Sequence, residues 1–158
     1  MSPRSNSWSS DSSAPSSFSP VRSGYSSYDL ESRATEILKS LANNTSNAEQ
    51  ISRHISPHIK VEHGEEDPVY SVEKYLLKFS DASARCPNLH LDIKEACVDE
   101  SQRKVWIWSE ITGLPGGTVK ERVDMLTFDE QGVLVGSIDH QRVRRRYSMG
   151  LEVMAREN

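Results

Sequence analysis

Pro87-Asn88-Leu89-His90-Leu91-Asp92-Ile93 marks the point where the periodicity of this chain changes. Before it, apolar residues recur every three or four positions. After it they recur every second position: Leu89, Leu91 and Ile93 alternate with His90, Asp92 and Lys94, as in a strand with one buried face. Pro87 supplies the corner, because the residue before a proline is pushed out of the helical region.

Downstream, Asp99 to Arg103 is a polar turn and Val105 to Thr112 a β-rich run. That run places Trp106 and Trp108 on one face and Val105, Ile107 and Ile111 on the other. Gly113-Leu114-Pro115-Gly116-Gly117 is a turn signal, Val119 to Phe128 the next strand, Asp129-Glu130-Gln131-Gly132 a tight hairpin, and Val133 to Val143 the closing strand.

Upstream, Ser71 is expected to cap a helix carrying Val72, Tyr75, Leu76 and Phe79 on one side. Gly64 to Pro68 is an acidic loop, and Ile59 and Val61 belong to a short strand. A helix is expected from Asn47, with Gln50 completing a capping box and Ala48, Ile51 and Ile55 as its stripe, ended by Ser56-Pro57. Leu30, Ala34, Ile37, Leu38 and Leu41 form the face of a first helix capped by Asp29. The sum is α+β: three N-terminal helices packed on a strongly curved, mostly antiparallel four- to five-stranded sheet, expected as a cone with a pocket.

Composition bounds the rest. The chain has 158 residues, enough for one domain that buries most of its surface. Thirteen of the first 29 residues are Ser, too polar to offset ordering entropy. The expected division is therefore a disordered tail over 1–29, a domain over 30–146 and a C-terminal tail over 147–158. Ser19-Pro20 is a candidate kinase site, against the simpler reading of a passive solubilising tail. The tail has no apolar core of a secretory signal, and no run approaches the ~18 apolar residues of a membrane span. Cys86 and Cys97 match neither a disulfide framework nor a zinc site, which points to a reduced, cytoplasmic setting. The net charge is −4, and the C-terminal end from Arg142 holds five Arg against two Glu. The body is thus acidic, which argues against a nucleic-acid surface. The run Arg142-Val143-Arg144-Arg145-Arg146 reads as a solvated strand end more simply than as a localisation signal or anion patch.

Four stretches, in this order, resemble one family. They are Ile59-Lys60-Val61-Glu62-His63, Cys86-Pro87-Asn88-Leu89-His90, Val105-Trp106-Ile107-Trp108-Ser109-Glu110-Ile111-Thr112-Gly113, and Phe128-Asp129-Glu130-Gln131-Gly132-Val133-Leu134 leading to Ile138-Asp139. The pattern resembles the SnoaL-like polyketide cyclases of the nuclear transport factor 2-like (cystatin-like) superfamily over residues 30–143. Ile138 stands where that family has Trp. The resemblance implies a cofactor-independent isomerase, cyclase or dehydratase working by proton transfer on a hydrophobic, carbonyl-bearing small molecule in secondary metabolism. It also implies a homodimer. The fold hosts non-catalytic ligand-binding or dimerisation modules too, so that class stays open.

Asp139 occupies the position where the resemblance places the catalytic acid/base. A carboxylate in apolar surroundings has its charged form desolvated, which suits it to proton transfer. His63, after the short strand, is expected at the pocket mouth. His140 must point to the opposite strand face from Asp139. Glu110 shares a face with Trp106 and Trp108, an acid among aromatics that either lines the pocket or lies on the outer, dimer-forming face. Arg122-Val123-Asp124 with Asp139 is similar to the Asp-Arg-Asp set of limonene epoxide hydrolases, although those enzymes carry a further strand between the two; a surface ion pair is the simpler reading. Asp139, His63, Asp124 and Glu110 are the expected catalytic residues, and Tyr75, Trp106, Trp108 and Arg122 the expected substrate contacts. His54, His58 and His63 are not expected to bind metal, because Pro57 interrupts the helix that would align the first two. No cofactor motif is present.

Overall fold

The computed structural model describes residues 25–43 and 48–144. The elements are α1 (Ser27–Ala42), α2 (Ala48–Ser52), β1 (Ile55–His63), α3 (Val72–Arg85), β2 (His90–Asp99), β3 (Lys104–Thr112), β4 (Lys120–Phe128) and β5 (Leu134–Val143). The strands form one open sheet in the order β1-β5-β4-β3-β2. β2 to β5 make an antiparallel meander, and β1 joins β5 in parallel. Helices pack on one sheet face, so the fold is α+β with a mixed sheet.

Local chemistry explains most boundaries. α1 starts at Ser27, with Ser26 as its cap and not Asp29. Asp29 lies at the third helical position, where its carboxylate accepts from the Ser26 backbone N–H at 3.0 Å. That makes a capping box from a residue read as the cap itself. Leu30, Ile37 and Leu38 of α1 and Val105, Ile107, Leu126, Phe128 and Leu134 of the sheet are buried in one core. Ser71 caps α3 as expected.

The second helix is shorter than its sequence pattern suggests. Ile55 opens β1 instead of closing α2, and the expected cap, Asn47, lies outside the described residues. Pro57 sits inside β1, where the register with β5 jumps between Ile55 and Lys60. A proline in a strand is tolerated at a sheet edge, where its missing N–H breaks no central ladder. The chain then folds back so that Val61 and Val69 exchange backbone hydrogen bonds at 2.8 and 2.9 Å, which covers part of that edge. A bulge between Ile93 and Glu95 shifts β2 by one residue, so Ala96 and Val98 continue the apolar row begun by Leu91 and Ile93.

Two turns hold the meander. Asp129 Oδ1 accepts from Gln131 and Val133 N–H at 2.8 and 2.9 Å, tying the β4–β5 hairpin. Gly113 after β3 has φ +74°, and a Cβ there would lie 1.7 Å from the Asn88 carbonyl oxygen. Gly113→Ala is therefore expected to lower stability by on the order of 3 kcal/mol, read by denaturant unfolding, from backbone strain plus overpacking.

Among the described residues no helix is long and apolar enough to cross a membrane. Arg145 and Arg146 of the basic run, and the tail segments 1–24 and 147–158, lie outside the described residues.

Candidate active site

The parallel pairing of β1 with β5 creates the site. His63 is the register partner of Asp139, and Asp139 is the register partner of Asp124 on β4. Cross-strand partners share a sheet face, so a His and two Asp stand in one row across three strands. Strand alternation adds Arg122 and Gln141, each two residues from a member of that row.

Asp139 Oδ1 lies 2.6 Å from His63 Nδ1. The Asp139 side chain is 4% exposed and that of His63 36%, so the carboxylate is the buried partner and the imidazole the open one. Asp139 Oδ2 accepts from Gln141 Nε2 at 3.2 Å and lies 3.5 Å from Arg122 Nε. Both Asp139 oxygens thus have polar partners, in place of the apolar surroundings expected for this group. Gly64 N–H donates to the Asp139 carbonyl at 3.1 Å, which holds the strand end that carries His63.

Arg122 donates from Nε and Nη2 to Asp124 Oδ1 at 2.9 and 2.5 Å. Asp124 is 0% and Arg122 7% exposed. The pair is buried, which corrects the reading as a surface ion pair: β4 turns its even-numbered residues inward, and Leu126 and Phe128 on the same face are core residues. Burial alone disfavours the guanidinium charge, but the Asp124 and Asp139 carboxylates outweigh it and hold the proton more firmly than usual. Burial pushes Asp124 upward from the usual carboxylate range, and Arg122 offsets only part of this. Asp124 Oδ2 and the buried Ser109 Oγ have no hydrogen-bond partner among the described residues.

Tyr75 of α3 completes the floor. Its hydroxyl lies 3.5 Å from Ser137 Oγ, and its ring meets Phe79 edge-on at 5.2 Å. Phe79 in turn stands 5.6 Å from the Arg122 guanidinium, close enough for a cation–π contact. Burial pushes the Tyr75 hydroxyl up to about 12, so it stays protonated and able to donate.

His63, Tyr75, Phe79, Arg122, Asp139 and Gln141 line a cavity of about 500 Å³, within the range of small-molecule sites. His63, Tyr75, Arg122, Asp139 and Gln141 form its polar side, and Leu89, Leu91, Ile111 and Leu114 an apolar wall. Lys78 of α3 and Glu66 of the acidic loop, both lining it, pair at 2.6 Å.

Four of the expected site residues, His63, Tyr75, Arg122 and Asp139, therefore meet at one cavity. Asp124 backs Arg122 from behind and does not form the wall. Glu110, Trp106 and Trp108 do not join them, which corrects the expectation of a pocket built on that face. The inward residues of β3 are Val105, Ile107, Ser109 and Ile111, so their neighbours face the other side of the sheet. There Glu110 pairs with Arg144 and with Lys94. His140 is exposed on that side, as alternation requires. Gln141 went unrecognised, though its two-residue spacing from Asp139 was available. Among the described residues no three His, Cys, Asp or Glu side chains are arranged to hold a metal ion.

No family model matches the chain. A curated protein does: "Probable cyclase otaY" of Aspergillus carbonarius is 30% identical over 114 residues, covering 72% of this chain and 89% of that protein. Among solved structures, a SnoaL-like protein from Burkholderia thailandensis E264 superposes with a TM-score of 0.59 at 12% identity, covering 75% of this chain and 98% of its own. BvnE pinacolase from Penicillium brevicompactum does so with a TM-score of 0.58 at 21% identity, covering 71% and 84%. The two structures establish likeness of fold, and the otaY match extends it to sequence over most of both chains: this chain belongs to the SnoaL-like polyketide cyclase family.

Proposed function

We propose that the protein is a cofactor-independent cyclase, isomerase or dehydratase that moves protons on a hydrophobic, carbonyl-bearing small molecule of polyketide-like secondary metabolism. The observation that carries this reading is the His63–Asp139 pair at the cavity. A buried carboxylate that accepts from Nδ1–H orients the imidazole, selects its tautomer and leaves Nε2 for the substrate.

In this mechanism His63 Nε2 takes a proton from the carbon next to a carbonyl, and Asp139 stabilises the imidazolium that forms. The C–H electron pair becomes an enolate, whose oxygen faces the Arg122 guanidinium and the Tyr75 hydroxyl. Positioned positive charge acts where negative charge develops. The enolate carbon then attacks a second carbonyl, a C–C bond forms, and the new alkoxide takes a proton back. Asp124 works at one remove, fixing the Arg122 fork. The apolar wall holds the carbon skeleton. The exposed Trp108 and Val123 on the outer sheet face support a homodimer.

A second reading, epoxide opening, draws on Arg122 lying between the Asp139 and Asp124 carboxylates. It needs Asp124 to reach water or substrate, and Asp124 is 0% exposed, so proton transfer at carbon is the better fit.

The test is substrate-independent. A bicyclic ketone of cavity size, 2-tetralone, exchanges its α-protons slowly in D₂O. The enzyme reading expects the protein to accelerate deuterium uptake, followed by NMR. Binding of 2-tetralone without acceleration would replace it with a non-catalytic ligand-binding module.

A further inference from the structure

The cavity has a second polar end that the proton-transfer reading does not use. Lys120 is the first residue of β4 and shares its inward face with Arg122 and Asp124. It is half-buried and lines the cavity. Its register partner is Ile111, which in turn pairs with Leu91 of β2. Arg85, in the last turn of α3, also lines the cavity, next to Cys86 and a short turn from Leu89. Both cations therefore sit at the Leu89–Leu91–Ile111 end. Tyr75, ten residues before Arg85 on α3, meets Ser137 at the other end. At about 3.3 Å per strand residue, Lys120 lies roughly 13 Å along β4 from the row that holds Asp139.

Neither cation has a carboxylate partner among the described residues, whereas the nearby charges are matched. Arg122 has Asp124, Glu121 has Arg142 at 2.5 Å, and Glu110 has Arg144 and Lys94. Glu110 and Glu121 lie on the outer sheet face and pair there with Lys94, Arg142 and Arg144. Arg85 donates from Nε to the Asp81 carbonyl at 3.2 Å, which leaves the rest of its fork free. The Asp81 carboxylate, the remaining acid on this part of the wall, is exposed and makes no ion pair with either cation. A half-buried ammonium with no counter-charge among the described residues loses hydration for nothing in return, and an anion entering the cavity supplies what those residues do not.

We infer that the substrate bears a carboxylate that Lys120 and Arg85 hold, at the opposite end of the cavity from the carbonyl presented to His63 and Asp139. Lys120 and Arg85 are thus specificity determinants for a keto acid. This rests on the reading of the cavity as a small-molecule site.

The probe is 6-acetyl-2-naphthoic acid, with a ketone at one end and a carboxylate at the other, compared by calorimetry with its neutral carboxamide. The wild-type protein is expected to bind the acid roughly ten- to a hundredfold more tightly, the range of a charged hydrogen-bonded contact. Lys120→Gln combined with Arg85→Gln should erase that preference and leave carboxamide affinity unchanged, which also reports an intact fold. Equal binding of acid and amide by the wild type, or a preference that survives both substitutions, overturns the inference and leaves the proton-transfer reading standing. Failure of both probes to bind overturns the two together.

Discussion

Asp139→Asn is expected to lower the α-proton exchange rate on 2-tetralone by roughly 10²- to 10⁴-fold, because the His63 base loses the carboxylate that orients it and stabilises its imidazolium. The substitution is nearly isosteric, so thermal unfolding should move little and ligand affinity should stay within a few fold. What disappears is the negative charge 2.6 Å from His63 Nδ1. An amide there does not stabilise the imidazolium. Its NH₂ group also competes to donate to Nδ1, which would drive the ring into the tautomer whose Nε2 already carries a proton. A loss confined to the rate, with binding preserved, separates a chemical role from a packing role.

Asp124→Ala should have the largest effect on stability, about 3–5 kcal/mol, because it strands a buried charge. Arg122 donates twice to one Asp124 oxygen and is 7% exposed. Without that carboxylate its nearest counter-charge is Asp139, at 3.5 Å from Nε. The double substitution Arg122→Met with Asp124→Leu removes both charges and should be clearly less destabilising than Asp124→Ala alone. Denaturant midpoints for the three proteins decide the matter. A double variant as unstable as the single one would mean that shape, and not the stranded charge, sets the cost.

Much of the architecture was legible from periodicity. The change at Pro87, the alternation through Val105 to Ile111 and the Asp129–Gly132 turn depend on neighbours close in sequence, and each reappears in the structure. Two features escaped for physical reasons. Ile55 fits a helical stripe and a strand equally well, and the tertiary pairing of Ile55 with Leu134 resolved it. Alternation separates the faces of β3 without saying which one meets the helices, so the sequence leaves the side of Glu110 and the two Trp open, and the burial of Val105, Ile107, Ser109 and Ile111 decides it. The site itself was half legible. Asp139, Arg122 and Asp124 share faces that strand spacing reveals. The contact of His63 with Asp139 spans 76 residues and arises only because β1 docks in parallel on β5. No local pattern encodes that docking, nor does any distinguish the buried Arg122–Asp124 pair from a surface one.

In the proposed mechanism His63 and Asp139 act as one unit on a ligand in the cavity. The most direct test compares 2-tetralone α-proton exchange in wild type, His63→Gln, Asp139→Asn and the double variant, at ligand concentrations that saturate all four. Residues that act as a unit are strongly non-additive. The predicted result is a similar loss, at least ~100-fold, in each single variant and little further loss in the double. Independent losses that multiply, or an Asp139→Asn variant exchanging at the wild-type rate, would mean that the two residues are not a catalytic unit.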